Sequence, residues 1–203
     1  MFWTDIMHLN RGSDRQRDAY QAMIELDIFS VLGDYDPVLA GTLPLGIETP
    51  ESDLDILCEA EDLDRFEALV EAAYGYLDDF RQQRDIADGL ASSISSFQYR
   101  RFPVEIFAQA RPVDQQRAYR HMVAEGRLLR EGGEEAAGAI RQLKLDGLKT
   151  EPAFGEYFCL DGDPYAVLAK MADAPTEELV NVVLQARVAR RNRPQLLQTM
   201  ARL

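Results

Sequence analysis

The chain has 203 residues, enough to bury a sizeable core without disulfide or metal staples. Its 35 acidic residues against 22 basic ones leave a net charge of −13, which disfavours duplex DNA or long RNA as a partner because an acidic surface repels a polyanion. The two cysteines, Cys58 and Cys159, lie outside any CxxC spacing, so a disulfide framework and a structural zinc site are excluded and a reducing cytoplasm is the expected setting.

The first residues, Met1 to Asp14, carry no basic n-region and meet an acid at Asp5, so no secretory signal is expected. No apolar run approaches the length needed to span a bilayer. Ser13 is a plausible N-cap with Gln16 at the capping-box position, and Tyr20, Met23 and Ile24 follow at helical spacing. These predict an opening helix over 13–30, ended by the stretch from Gly33 to Pro37. Val38-Leu39-Ala40 then reads as a short strand turning at Gly41.

Pro44, Gly46 and Pro50 mark residues 43–52 as a connection. Asp53 to Cys58 alternates polar and apolar, a strand pattern. Residues 61–76 repeat apolar side chains at three and four, an amphipathic helix. Leu77–Ile86, Ser92–Arg100 and Phe102–Gln109 read as an antiparallel meander, with Asp88-Gly89 as a turn. After Arg111-Pro112 the texture becomes helical, with helices expected over 113–130, 134–147, 152–159, 164–172 and 176–191, and a short one beyond Pro194. The expected organisation is an α+β core over 1–110 and a helical C-terminal lobe over 111–203.

The chemistry concentrates between residues 41 and 105. Side chains at i and i+2 of a strand share a face, so Asp53 and Asp55 stand side by side while Leu54 and Ile56 face the core. Two adjacent carboxylates repel unless a cation lies between them, and hard oxygen ligands suit Mg²⁺. In Phe102-Pro103-Val104-Glu105-Ile106-Phe107, Glu105 projects opposite to Val104 and Ile106. If that strand lies beside 53–58, Glu105 joins the aspartates, and three carboxylates suffice for two Mg²⁺ ions in an in-line phosphoryl or nucleotidyl displacement. Gly41-Thr42 supplies a turn whose backbone N–H and hydroxyl suit phosphate oxygens. The plainer alternative is an edge strand with a solvated acidic face.

Gly41-Thr42, then Ser52-Asp53-Leu54-Asp55, then Glu105, resembles the nucleotidyltransferase superfamily that includes DNA polymerase beta. Further stretches are similar to a bacterial family of small nucleotidyltransferase-like proteins, a domain of unknown function. They are Gly41 to Ile47, Val104 to Phe107, Ala118 to Met122, Lys149 to Phe154 and Gly162 to Tyr165. The resemblance implies a mixed, largely antiparallel sheet with flanking helices. It also implies transfer of a nucleoside monophosphate from an NTP, such as ATP, with two Mg²⁺ as cofactor. By position, Gly41, Thr42 and Ser52 would hold the triphosphate. Asp53, Asp55 and Glu105 would be the catalytic and metal-ligating carboxylates. Thr42 stands where the superfamily more often has Ser, and Glu105 where it more often has Asp.

Secondary candidates lie in the helical half. Arg117, Arg120, His121 and Arg127 fall near one face of the 113–130 helix, a cationic face suited to a triphosphate or to a solvated surface with a His121–Glu125 pair. Lys144 and Lys149 are phosphate candidates or surface lysines, and Arg187, Arg190, Arg191 and Arg193 offset a helix terminus or bind an acceptor. The expected activity is nucleotidyl transfer to a hydroxyl of a small molecule or protein, without a membrane or long nucleic acid as partner. The alternatives are a nucleotide-sensing or partner-binding module with weakened catalysis, and a helical scaffold whose acidic strand is merely solvated.

Overall fold

A computed structural model describes residues 5–200, with side chains over 5–192. It divides into two compact units, Met1–Tyr119 and Arg120–Leu203. The division falls later than residue 110 because a 3₁₀ turn at Val113–Gln115 remains with the first unit. Next to that turn, Gln116 donates its side-chain N–H to the carbonyl of Cys58 at 2.8 Å and to that of Arg111 at 3.0 Å.

The first unit opens with α1 (Asp14–Glu25), started by the expected capping box. Ser13 Oγ accepts from the Gln16 amide, and the Gln16 side chain accepts from the Ser13 amide. The helix stops earlier than expected. Asp27 adopts the left-handed conformation at φ 50°, which separates a single further turn, α2 (Ile28–Val31). Then follow β1 (Val38–Ala40), β2 (Leu54–Glu59), α3 (Leu63–Tyr74), β3 (Arg81–Ala87), β4 (Leu90–Tyr99) and β5 (Phe102–Gln109).

The five strands form one sheet in the order β1-β2-β5-β4-β3. β2 and β5 pair in parallel and every other neighbour is antiparallel. The β3-β4-β5 run is the expected meander, and its last strand returns to lie beside β2. Alternation assigns the faces. Leu54, Ile56 and Cys58 of β2 and Phe102, Val104, Ile106 and Ala108 of β5 are buried. They join Ala19, Ala22 and Met23 of α1 and Phe66, Val70 and Tyr74 of α3 in one core. Tyr74 stacks on Phe97 at 5.2 Å and donates its hydroxyl to the carbonyl of Leu26 at 3.2 Å, so the one polar atom of this large ring is satisfied. The opposite face carries Asp55, Glu105 and Ser96 in one row.

The second unit continues α4 (Arg117–Leu145) and adds α5 (Thr150–Phe158), α6 (Pro164–Met171) and α7 (Thr176–Met200). The two helices expected on either side of residue 133 are present as the two halves of α4, divided at Gly133 by non-helical backbone with φ 71° and ψ −167°. α7 continues through Pro194 instead of ending before it. The N–H that proline lacks is a local loss, on the order of 3 kcal/mol, within a long helix. Arg127 closes the end of α6, donating to the carbonyls of Met171, Ala172 and Ala174 at 3.2, 2.8 and 2.5 Å. Among the described residues, no helix is long and apolar enough to cross a membrane.

Candidate nucleotide site

Asp55 and Glu105 lie beside the Gly41-Thr42 turn where β1, β2 and β5 run side by side. Ala40 pairs with Asp55 across β1–β2, and Asp55 pairs with Glu105 across β2–β5. In a parallel pair, registered residues project to the same face about 4.8 Å apart. Asp53 precedes the first residue of β2 by one position and is exposed; Asp55 is half-buried and Glu105 exposed. Burial of the carboxyl, reinforced by the negative charge of Asp53, raises the Glu105 pKa above the usual carboxylate range.

Gly41 follows directly on β1 with φ +74°. A Cβ built there would stand 2.4 Å from Asp55 Oδ2, so the carboxylate occupies the space any other residue's side chain would need. Glycine is required twice over at this position, by backbone conformation and by the approach of Asp55. Next to it, Thr42 Oγ1 and Ser52 Oγ are 2.9 Å apart, and Ser52 Oγ accepts the Thr49 amide at 2.9 Å. Thr42 and Ser52, two of the residues expected to hold a triphosphate, are therefore hydrogen-bonded to each other at the two ends of a single loop.

That loop is braced by the first turn of α1, which sequence reasoning took only as a helix start. Ser13 Oγ donates to Glu48 Oε1 at 2.5 Å, Gln16 Nε2 to the Leu43 carbonyl at 2.7 Å, and Arg15 Nη2 to the Ser52 carbonyl at 2.5 Å. The Arg15 guanidinium lies over the Phe102 ring, 4.6 Å from its centroid. Burial, then neighbouring Arg101, lowers its pKa, against the opposing charges of Glu48, Glu51 and Asp18. Arginine in an opening helix carries no sequence signal of this kind, because the partner is a backbone carbonyl far along the chain.

Arg120, His121 and Lys149 belong to the helical unit, and the structure gives the first two other partners. Arg120 donates to the Ala169 carbonyl at 3.0 Å and pairs with Asp173 at 2.6 Å. His121 is 5% exposed, with Nδ1 3.1 Å from Glu151 Oε1 and Nε2 3.0 Å from the Tyr165 carbonyl. They tie α4 to α5 and α6 instead of presenting a free cationic face, because carboxylates and carbonyls of the same unit reach them first. Glu151, opposed by burial, is held below the usual carboxylate range by His121 and by Lys149. Lys149 is exposed at the N-cap of α5. Arg190 lies over the Tyr157 ring at 3.9 Å and donates to the Tyr157 carbonyl at 2.8 Å. The side chain of Arg193 lies outside the described residues.

The carboxylates suit a hard cation by chemistry and by shared face. As they stand, no group of three His, Cys, Asp or Glu side chains among the described residues forms a metal-holding cluster. Register makes Asp55 and Glu105 direct neighbours on the sheet.

A mixed five-stranded sheet with this strand order, helices on one face and a helical C-terminal unit is a nucleotidyltransferase-like fold. The chain belongs to the family described as Domain of unknown function (DUF4269), whose model matches residues 21–171. No curated protein matches the sequence. Among solved structures it is similar to the Cid1 poly(U) polymerase with bound MgGTP, at 12% identity and TM-score 0.50, over 80% of this chain and 51% of that one. It is also similar to a cytoplasmic RNA terminal U-transferase, at 12% identity and TM-score 0.49, over 80% and 49%. A third is the GLD-2/RNP-8 complex, at 15% identity and TM-score 0.45, over 89% and 81%. The chain thus spans about half the length of the Cid1 polymerase.

Proposed function

We propose that this protein is a Mg²⁺-dependent nucleotidyltransferase that moves a nucleoside monophosphate from an NTP to a hydroxyl of a small molecule or protein. The observation that carries this reading is the registered Asp55–Glu105 pair packed against the Gly41 turn. Gly41 and Thr42 would bind the β- and γ-phosphates through backbone N–H and hydroxyl donors. Asp53, Asp55 and Glu105 would hold two Mg²⁺, which when bound neutralise the triphosphate and polarise the reacting oxygens. Glu105 would take the proton of the acceptor hydroxyl. The new P–O bond forms at the α-phosphorus as the bond to the pyrophosphate oxygen breaks, and pyrophosphate leaves into the Gly41-Thr42 turn.

Net charge −13 argues for a small or protein acceptor over a long RNA, although the similar Cid1 structure is that of a poly(U) polymerase. The test is Mg²⁺-dependent pyrophosphate release with each NTP over a panel of hydroxyl acceptors, including a short RNA 3′ end. Wild type is compared with Asp53→Ala and Asp55→Ala. Loss in both variants is expected, and equal rates would overturn the reading.

A second reading is a nucleotide-sensing module without turnover. The lack of a preformed three-carboxylate cluster among the described residues favours it. Calorimetry showing NTP binding with no pyrophosphate release on any acceptor would select it.

A further inference from the structure

We propose that Arg15 is the positioning residue of the triphosphate loop, acting on Thr42 through Ser52. The inference rests on the nucleotidyltransferase reading and extends it to a residue outside the phosphate turn and the carboxylates. Arg15 Nη2 donates to the Ser52 carbonyl at 2.5 Å, which fixes the residue immediately before Asp53. The guanidinium lies over the ring of Phe102 of β5, the strand that also carries Glu105, so one side chain touches both the loop and the third carboxylate's strand. Its Nε is buried without a hydrogen-bond partner, and none of the ion pairs among the described residues joins it to a carboxylate. Arg15 as a whole is half-buried, and leaving its buried Nε–H unpaired is a cost that holding the Ser52 carbonyl offsets.

The consequence for Thr42 follows from hydroxyl bookkeeping. Ser52 Oγ accepts the Thr49 amide, so its own hydrogen is available for Thr42 Oγ1, 2.9 Å away. Either hydroxyl can donate in this bond; in the nucleotide-bound state proposed here Ser52 donates, and Thr42 keeps its hydrogen for a ligand oxygen. With the Ser52 backbone held by Arg15, this chain of donors is oriented before any nucleotide binds, so less ordering accompanies binding.

The test uses the full chain and the variants Arg15→Met, Arg15→Lys, Ser52→Ala and Arg15→Met/Ser52→Ala. The first readout is amide hydrogen exchange without nucleotide. In Arg15→Met the Thr49 and Ser52 amides should exchange about tenfold faster while α3 and β4 keep wild-type protection, and Arg15→Lys should restore part of it. The second is affinity for a non-hydrolysable NTP with Mg²⁺. Arg15→Met and Ser52→Ala should each weaken it about tenfold, and the double variant by about the same factor, because both act on one hydroxyl. Unchanged exchange in Arg15→Met, or a roughly hundredfold loss in the double variant, overturns the proposal. If wild type binds no Mg-nucleotide, the nucleotidyltransferase reading fails instead, and the exchange result still decides whether Arg15 holds the loop. Should Arg15→Met not fold, Arg15→Lys and its double variant with Ser52→Ala give the same two readouts.

Discussion

Asp55 and Glu105 are direct partners across the one parallel strand pair of the sheet, and Gly41 closes the row from the other side. Like charges opposite each other on a sheet face cost about 0.2–1 kcal/mol. Replacing Glu105 with Gln should therefore raise the melting temperature in chelator by roughly 1–3 °C. The same variant should lose the extra stabilisation that wild type gains on adding Mg²⁺ with nucleotide. Thermal melts in both conditions measure the two effects.

Gly41→Ala should be more damaging than an ordinary glycine replacement. It forces a left-handed backbone on an L-residue, about 1–2 kcal/mol, and drives a methyl into Asp55 Oδ2. Nucleotide affinity should fall at least tenfold, and urea unfolding should show the stability loss.

The Thr42 hydroxyl matters more than its methyl. Thr42→Ser should retain Mg-nucleotide binding within about threefold, whereas Thr42→Val should lose about tenfold, the size of one charge-assisted hydrogen bond. Titration calorimetry separates them, since Val keeps the volume and removes both the donor and the partner of Ser52.

The helical unit should be pH-sensitive through Glu125, which is 3% exposed and whose carboxyl is pushed up to about 8 by burial and by Glu151, with Lys144 opposing. A carboxyl raised in the folded state binds more protons folded than unfolded. Its contribution is therefore present at pH below about 4.5 and is lost as pH rises toward 8. Urea unfolding should show the unit weakening between pH 5 and 9, and Glu125→Gln should flatten that dependence. Unchanged slopes in the variant would assign the effect elsewhere.

Gln16 fills two roles at once, capping the amide of Ser13 and donating to the Leu43 carbonyl. Gln16→Ala leaves both unpaired near the core and should cost about 1–3 kcal/mol in urea unfolding.

Much of this was legible in the sequence where a local rule governs. The Ser13–Gln16 box, the alternation of β2 and β5 and the turn at Asp88-Gly89 each follow from neighbouring residues, and each stands in the structure. Where a distant partner decides, the pattern was silent. Nothing near Asp27 announces its left-handed backbone. Arg120 and His121 show the same limit from the other side. Their spacing suggested a free cationic face, but Asp173, Glu151 and two backbone carbonyls claim them. Arg15 was missed because its partner is the carbonyl of Ser52, which has no side-chain signature.

The parallel β2–β5 pairing also sets when the site can exist during synthesis. α3, β3 and β4 all lie between Asp55 and Glu105 in the chain, so their carboxylates become neighbours only after β5 has left the ribosome and closed on β2. A nascent chain stopped within the meander would carry the phosphate turn and both aspartates yet remain without its third carboxylate. The Asp55–Glu105 pairing would arrive in one step, with the completion of the sheet.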